Sequence, residues 1–256
     1  MYQILQYLKF LFTSTNQHGV HSPFVFDLVT KCLYDKENKE DYKKLIVYRN
    51  ALLSSKEQLT ITDFGAGSRR NTNTQRAISD IAKTSGTPLK RAKLLYRIVH
   101  YLKPTQILEL GTSLGIATQA MALGSHAATI TSIEGCPNVA DKAKQQLEAF
   151  QAKNVSIKIG RFEDVLSTLK QSHWDLVFFD GNHQKEATLQ YFEQLLPKAH
   201  NDSLFIFDDL YWSKGMTEAW EEVKQHPKVT VTIDTFFWGL VFFRTEQTKE
   251  NFKIRM

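Results

Sequence analysis

Residues 105–118 constrain the fold of this chain more than any other stretch. They contain a short apolar strand, a turn bracketed by Gly111 and Gly115, and the start of a helix. Glycine lets the backbone turn sharply and approach a ligand closely, and the first N–H groups of the next helix face that ligand. A second apolar run ends in Glu134 about 20 residues further on, where an acid can accept hydrogen bonds from ribose hydroxyls. This pattern predicts a nucleoside-bearing cofactor.

The order of residues in the turn distinguishes between cofactors. Glu109-Leu-Gly111-Thr112-Ser113-Leu-Gly115 lacks the G-x-G of dinucleotide sites. It resembles motif I of the class I S-adenosylmethionine (SAM) methyltransferases, E-x-G-x-x-x-G. The resemblance implies that Glu109, Gly111, Thr112, Ser113, Gly115 and Glu134 bind SAM, with an acid at the strand end suited to its ammonium and sulfonium charges. A NAD-dependent oxidoreductase and a plain strand-to-helix turn remain alternatives.

Composition and charge limit the class of protein and its location. A chain of 256 residues can bury the core of one α/β domain plus an accessory piece. The net charge of +5 is mild and the basic residues are scattered, so we expect no nucleic-acid partner. No apolar run has the length of a membrane span, no secretory signal is recognisable, and Cys32 and Cys136 suggest neither a disulfide nor a metal framework. We therefore expect a cytoplasmic protein with no membrane partner.

The first 90 residues are predicted to form a mainly helical extension, which we expect to act as a lid. Apolar spacing predicts helices at 2–12, 25–33 and 42–53, and Ser22-Pro23 has the form of an N-cap followed by the first helical residue. His21 is either an exposed residue before this cap or a ligand contact. The glycine-rich stretch at 63–70 is either a solvated loop or, with its two arginines, an anion-binding turn.

From residue 104 onward strands and helices alternate, which predicts a parallel sheet with crossover helices. The expected strands are 106–110, 128–134, 155–159, 176–180 and 203–208, followed by an antiparallel hairpin at 229–234 and 239–244. Helices are expected at 116–123, 138–152, 161–170 and 185–196. We predict an α/β, Rossmann-like, seven-stranded sheet with strand seven antiparallel and helices on both faces. This domain spans 91–256, after the helical region 1–90.

Acidic residues follow the ends of the fourth and fifth predicted strands. Asp180 begins the sequence Asp-Gly-Asn-His183, and Asp208-Asp209 closes the next strand. Because the carboxyl ends of neighbouring strands lie close together, three carboxylates there would repel unless a cation held them. Oxygen ligands suit Mg²⁺, Mn²⁺ or Ca²⁺. Strand alternation would point Asp208 and Asp209 to opposite faces unless the strand has already ended.

These motifs together resemble the metal-dependent O-methyltransferases of the catechol O-methyltransferase-like group, in the branch with Asp-Gly-x-His. The resemblance covers residues 90–244. It implies metal ligation by Asp180, Asp208 and Asp209, with Asp209 replacing the asparagine of the catechol enzymes, and a catalytic role for Asp180 and His183. A helix-capping role for His183 is the alternative. It also implies that Asp180 belongs to the cofactor site and that Gly160, Phe162 and Glu163 lie beside the adenine, although these could equally form an ordinary helix start.

Aromatic residues follow the strand-end acids and recur at the predicted hairpin tip. Tyr211, Trp212 and Phe237, with Phe24, are candidates for the walls of an acceptor site, and the hairpin tip could instead form a dimer contact. We therefore predict a SAM-dependent methyltransferase, metal-assisted, that acts on a hydroxyl of a small molecule. The alternatives are a nitrogen- or RNA-directed methyltransferase of the same fold and a non-catalytic SAM-binding protein.

Overall fold

The computed structural model describes residues 1–62 and 75–256. The chain divides into two compact units. Residues 1–34 and 171–256 form one, here called the terminal unit, and residues 35–170 form the other, the central unit. The glycine-rich stretch at 63–70, predicted as a loop or anion-binding turn, lies outside the described residues.

Two helices open the terminal unit, α1 (Tyr2–Thr13) and α2 (Pro23–Leu28), and α2 runs into a π-helical turn at Val29–Leu33. The predicted start of α2 is observed, because Ser22 Oγ accepts a hydrogen bond from the Val25 N–H at 3.4 Å. His21, just before this cap, is exposed. The Arg255 guanidinium satisfies a carbonyl at the end of α1, that of Leu11, at 2.6 Å.

The central unit begins with α3 (Asp41–Ser54), the antiparallel pair β1 (Gln58–Thr60) and β2 (Gln75–Ala77), α4 (Ile78–Thr84) and α5 (Leu89–Leu102). It continues through β3 (Gln106–Leu110), α6 (Ile116–Gly124), β4 (Thr129–Glu134), α7 (Pro137–Ala149), β5 (Val155–Ile159) and α8 (Phe162–Thr168). Strands β3, β4 and β5 pair in parallel, in that order. Helix α6 is buried on all sides, which explains why its sequence is apolar around its whole circumference.

The terminal unit resumes with β6 (Leu176–Phe179), α9 (Lys185–Leu195), β7 (Leu204–Asp208) and α10 (Lys214–Gln225). It ends with β8 (Val231–Asp234), β9 (Trp238–Phe242) and β10 (Glu250–Lys253). The strand order in this unit is β10–β8–β9–β7–β6, and only β9 runs antiparallel to its neighbours. The apolar strands β6 and β7 are buried along their whole length, as expected for parallel strands covered on both faces.

The predicted Rossmann-like α/β class is confirmed, including the antiparallel hairpin of β8 and β9. The predicted count of seven strands is wrong, since an eighth strand follows the predicted hairpin. The additional strand, β10, pairs in parallel with β8. Its sequence gives little strand signal, because Glu250 and Asn251 are exposed and only Phe252 is buried. Among the described helices, none combines the length and apolar character needed to cross a membrane.

Candidate functional site

The glycine turn after β3 lies where the sequence placed it and depends on its glycines. Gly111 and Gly115 have φ angles of +105° and +76°. The N–H groups of Gly111 and Thr112 donate to the carbonyl of Ile133 in β4, at 2.9 and 3.2 Å. A Cβ on Gly115 would lie 2.7 Å from the Tyr48 hydroxyl oxygen. Both the backbone angle and the available space therefore require glycine at 115.

Glu109 is a fully buried carboxyl group at the centre of a hydroxyl network. Its Oε2 accepts hydrogen bonds from the hydroxyls of Thr118 and Ser132, both at 2.5 Å. The Thr112 hydroxyl extends the network to Ser132, also at 2.5 Å. Burial raises the pKa of Glu109 to about 8, and the charge of Glu134 acts in the same direction, while the two hydroxyl bonds lower it.

The other carboxyl oxygen of Glu109, Oε1, is buried without a hydrogen-bond partner. A buried acceptor left unpaired is destabilising by about 1–3 kcal/mol. An ammonium group carries three N–H donors and a positive charge, so it would satisfy this oxygen and favour the ionised carboxylate. The residues present thus fit the amino-acid part of SAM, as predicted for the end of β3.

Glu134, at the end of β4, holds the turn in place. Its Oε2 accepts a hydrogen bond from the Ser113 N–H at 2.8 Å, and its Oε1 accepts one from the Cys136 N–H at 3.0 Å. Each carboxylate oxygen has two lone pairs, so ribose hydroxyls could also bind there. The carboxylate therefore fixes the backbone of the turn, and its contact with a ribose stays a prediction.

Tyr48 of α3 is a contributor to this site that sequence patterns did not single out. Its side chain is fully buried, and its hydroxyl donates to the Leu114 carbonyl inside the turn at 2.8 Å. Burial, followed by the negative charge of Glu109, raises the pKa of Tyr48 well above its usual range. Its position in α3 fits ordinary 3-and-4 apolar spacing, so nothing in the sequence distinguishes it from a core residue.

The predicted adenine-side residues follow β5. Gly160 has a φ of +148°, and its N–H donates to the backbone carbonyl of Glu134 at 3.0 Å. Phe162 opens α8 and is half-buried, whereas Glu163 is exposed. Gly160 is thus brought next to the Glu134 end of the turn, while contacts of Phe162 and Glu163 with a base stay a prediction.

In the terminal unit, Asp180 and His183 lie in the turn between β6 and α9, and both are half-buried. Asn182 has a φ of +51°, and its side-chain amide donates to the Tyr191 hydroxyl at 3.0 Å. The N-cap of α9 is Gln184, not His183. The helix-capping alternative for His183 is therefore not what the structure contains. Its ring lies 6.2 Å from the ring of Trp212.

Asp208 is the buried last residue of β7, opposite Trp238 of β9. Asp209 has a φ of +53°, so the strand has ended and alternation no longer fixes the direction of its side chain. The Asp209 N–H donates to the Phe237 carbonyl at 3.0 Å. Within residues 1–62 and 75–256, no group of three or more His, Cys, Asp or Glu side chains is placed to hold a metal ion. The side chains of Asp180, Asp208 and Asp209 therefore do not form a ready ligand set, and the metal site stays a prediction.

The aromatic candidates for an acceptor site occupy different environments. Tyr211 is buried, donates its hydroxyl to the Asp234 carboxylate, and stacks on Phe236 with ring centroids 4.9 Å apart. Phe24 packs on Phe242 at 5.1 Å. Phe237 is nearly half exposed at the hairpin tip. Trp212 lies beside His183, with ring centroids 6.2 Å apart.

Comparison with known proteins shows which proteins this chain is similar to. Residues 108–210 match the family described as "Methyltransferase domain". This range contains the glycine turn, Glu134, and the acids and histidine that follow β6 and β7. The match confirms the predicted resemblance to the class I SAM-dependent methyltransferases.

Individual relatives are more distant. The chain is 26% identical over 129 residues to the catechol O-methyltransferase of Mycobacterium tuberculosis. The aligned region covers 50% of this chain and 58% of that protein. It resembles the SAM complex of the O-methyltransferase TomG from Streptomyces achromogenes, involved in tomaymycin synthesis (TM-score 0.59, 17% identity, 81% and 91% of the two chains). It also resembles SAH-bound methyltransferase PaMTH1 from Podospora anserina (TM-score 0.63, 14% identity, 88% and 97%). At these identities the structural likeness concerns the fold.

Proposed function

We propose that this protein is a SAM-dependent methyltransferase that transfers a methyl group to a hydroxyl of a small molecule. The observation that carries the cofactor assignment is the buried, unpartnered Oε1 of Glu109 beside a turn fixed by Glu134. The hydroxyl acceptor is supported by the names of the relatives, which are O-methyltransferases.

The central unit would bind the cofactor. Glu109 would pair with the ammonium group, Glu134 would accept hydrogen bonds from the ribose hydroxyls, and Gly111 and Gly115 would let the backbone approach. Bound SAM supplies an activated methyl group. The contribution of this unit is placement, because methyl transfer depends mainly on the alignment of the reacting groups.

The terminal unit would contribute the proton acceptor. His183 lies half-buried in a turn fixed by the Asn182–Tyr191 hydrogen bond, and it does not cap α9. Imidazole accepts protons near neutral pH, so His183 can take the proton from the acceptor hydroxyl as its oxygen attacks the methyl group. Trp212, beside His183, would form one wall of the acceptor site.

A divalent cation at Asp180, Asp208 and Asp209 is a separate prediction from the sequence resemblance. The described side chains do not form a ligand group for it, so the roles given above use no cation. The prediction is tested by calorimetric titration of Mn²⁺ into SAM-saturated protein. Binding that disappears in Asp180→Asn would support the cation site, and an absence of binding heat in the wild type would refute it.

The proposed function is tested by incubating the protein with methyl-labelled SAM and a panel of hydroxylated small molecules. His183→Ala should lower kcat by about 10²- to 10⁴-fold while leaving SAM affinity unchanged. His126→Ala, which removes an exposed histidine with no predicted site role, is the matched control and should have wild-type activity. Labelling of amines or RNA alone would contradict a hydroxyl acceptor. SAM binding without transfer to any acceptor in a whole-cell extract would favour the non-catalytic alternative.

A further inference from the structure

Helix α1 is attached to the terminal unit through one face. Phe10 is buried, and its ring and that of Tyr7 pack against Phe236 at centroid distances of 5.6 and 4.8 Å. The Tyr2 hydroxyl donates to Thr217 Oγ1 at 2.9 Å. Together with the Arg255 bonds at its carboxyl end, these contacts make α1 a fixed part of this unit.

Helix α1 nevertheless exposes a large amount of apolar surface. Six large apolar side chains of the first 12 residues are each between 42% and 99% exposed: Met1, Ile4, Leu5, Tyr7, Leu8 and Phe12. Met1, Leu5, Leu8 and Phe12 follow each other at intervals of four and three residues, so they form one stripe along the helix. Ile4 and Tyr7 lie along one side of these four, and we call the six side chains together the α1 stripe.

The area of the α1 stripe is that of a protein–protein interface. At roughly 200 Å² for a fully exposed large side chain, the stripe presents on the order of 800 Å² to solvent. The largest apolar patch on a typical monomer is about 300–600 Å², and a standard interface buries about 800 Å² on each partner. The stripe therefore exceeds a monomer's patch and matches one side of a stable complex.

We propose that the α1 stripe binds the α1 stripe of a second copy of this chain, giving a two-fold symmetric dimer. A two-fold interface uses the same patch on both subunits, and the four-and-three spacing is the one that packs helix against helix. Lys9 is the one charged side chain within Tyr2–Thr13 and is not part of the stripe, so the stripe can pair with itself without opposing charged side chains. A helix lying on a membrane would instead need a polar face rich in Lys and Arg. This inference does not rest on the proposed function.

Sedimentation equilibrium at protein concentrations of about 1–100 μM tests the proposal, because this range detects a dimer whose dissociation constant is micromolar or lower. The wild type should have twice the 29.5 kDa chain mass. Phe12→Glu should raise the dissociation constant at least about 100-fold, because each interface would bury two unpaired carboxylates. Phe12 is 90% exposed in the monomer, so the variant should fold normally. Val47→Glu, at a 58% exposed position of α3, is the matched control and should remain dimeric.

A monomeric wild type over this range, or a Phe12→Glu variant that stays dimeric, would overturn the proposal. Cross-linking gives an independent readout. Leu8 lies near the middle of the stripe, so Leu8→Cys should form a covalent dimer with a short bismaleimide, and Val47→Cys should not. The native Cys32 and Cys136 are buried and should not react. A monomer that floats with phosphatidylcholine or phosphatidylserine vesicles would assign the stripe to a membrane surface and contradict the dimer.

Discussion

Gly115→Ala should lower the free energy of unfolding by about 2–3 kcal/mol. The φ of +76° at this position would be strained by about 1–2 kcal/mol in a residue with a Cβ. That Cβ would also lie 2.7 Å from Tyr48 Oη and push the hydroxyl away from the Leu114 carbonyl, which loses a hydrogen bond of roughly 1 kcal/mol. Urea denaturation followed by circular dichroism measures the change.

A double-mutant cycle with Tyr48→Phe separates the two contributions. Tyr48→Phe alone should cost roughly 1 kcal/mol, because it leaves the buried Leu114 carbonyl without its donor. In that background no hydroxyl oxygen meets the new Cβ, so Gly115→Ala should cost the backbone strain and the 3.3 Å approach of the Cβ to Leu147. The two changes should therefore be less than additive, by about 1 kcal/mol.

The control for this cycle is Gly215→Ala, where the nearest atom to the new Cβ is at 3.4 Å and φ is not positive. Because Gly215 lies in α10, this change should be neutral or slightly stabilising. Additive costs for Gly115→Ala and Tyr48→Phe, or a loss at Gly115 below roughly 0.5 kcal/mol, would refute the packing argument.

Three further predictions concern individual acids and their environment. Because the pKa of Glu109 is raised from 4.5 to about 8, the folded protein keeps a proton that the unfolded chain has lost, so stability without cofactor should fall as pH rises from about 4.5 to about 8. Glu109→Gln should reduce that slope in pH-dependent urea titrations by the contribution of one carboxyl group, and an unchanged slope would contradict the assignment. Calorimetric titrations should show that the SAM affinity of the wild type rises with pH up to about 8, because the ammonium group of SAM favours the ionised carboxylate of Glu109. Glu109→Gln should not show this rise. Glu134→Ala should weaken SAM binding about tenfold or more by releasing the N–H groups of Ser113 and Cys136, whereas wild-type affinity would argue against a role in fixing the turn.

Much of the fold follows from local sequence pattern. Strands β3 and β5 have the predicted bounds, because apolar periodicity and flanking turn residues define them locally. Strand β10 was missed because its pairing with β8 is non-local and its side chains are mostly exposed. Helix α10 was also missed, although Ser213 caps it as an N-cap serine should. The division predicted at residue 90 stays a prediction.

The site was predicted less completely than the fold. The glycines and acids of the turn are visible because their residue types are rare at such spacings. The sequence did not reveal the roles of Tyr48, Thr118 and Ser132, because these roles arise only when distant segments meet around Glu109 and the turn. Trp212 beside His183 was a candidate from sequence, whereas the burial of Tyr211 against Asp234 depends on β8 and could not be anticipated.

The central claim is that Glu109 receives the ammonium group of SAM in the turn after β3. Calorimetric titration of SAM at pH 8 into wild type, Glu109→Gln and Glu148→Gln tests it most directly, with Glu148 as an exposed control. The account predicts binding to the wild type and to the control, with affinity about 10- to 100-fold weaker in Glu109→Gln, the magnitude of a hydrogen bond to a charged group. Equal affinity in all three proteins, or no SAM binding by the wild type, would contradict it.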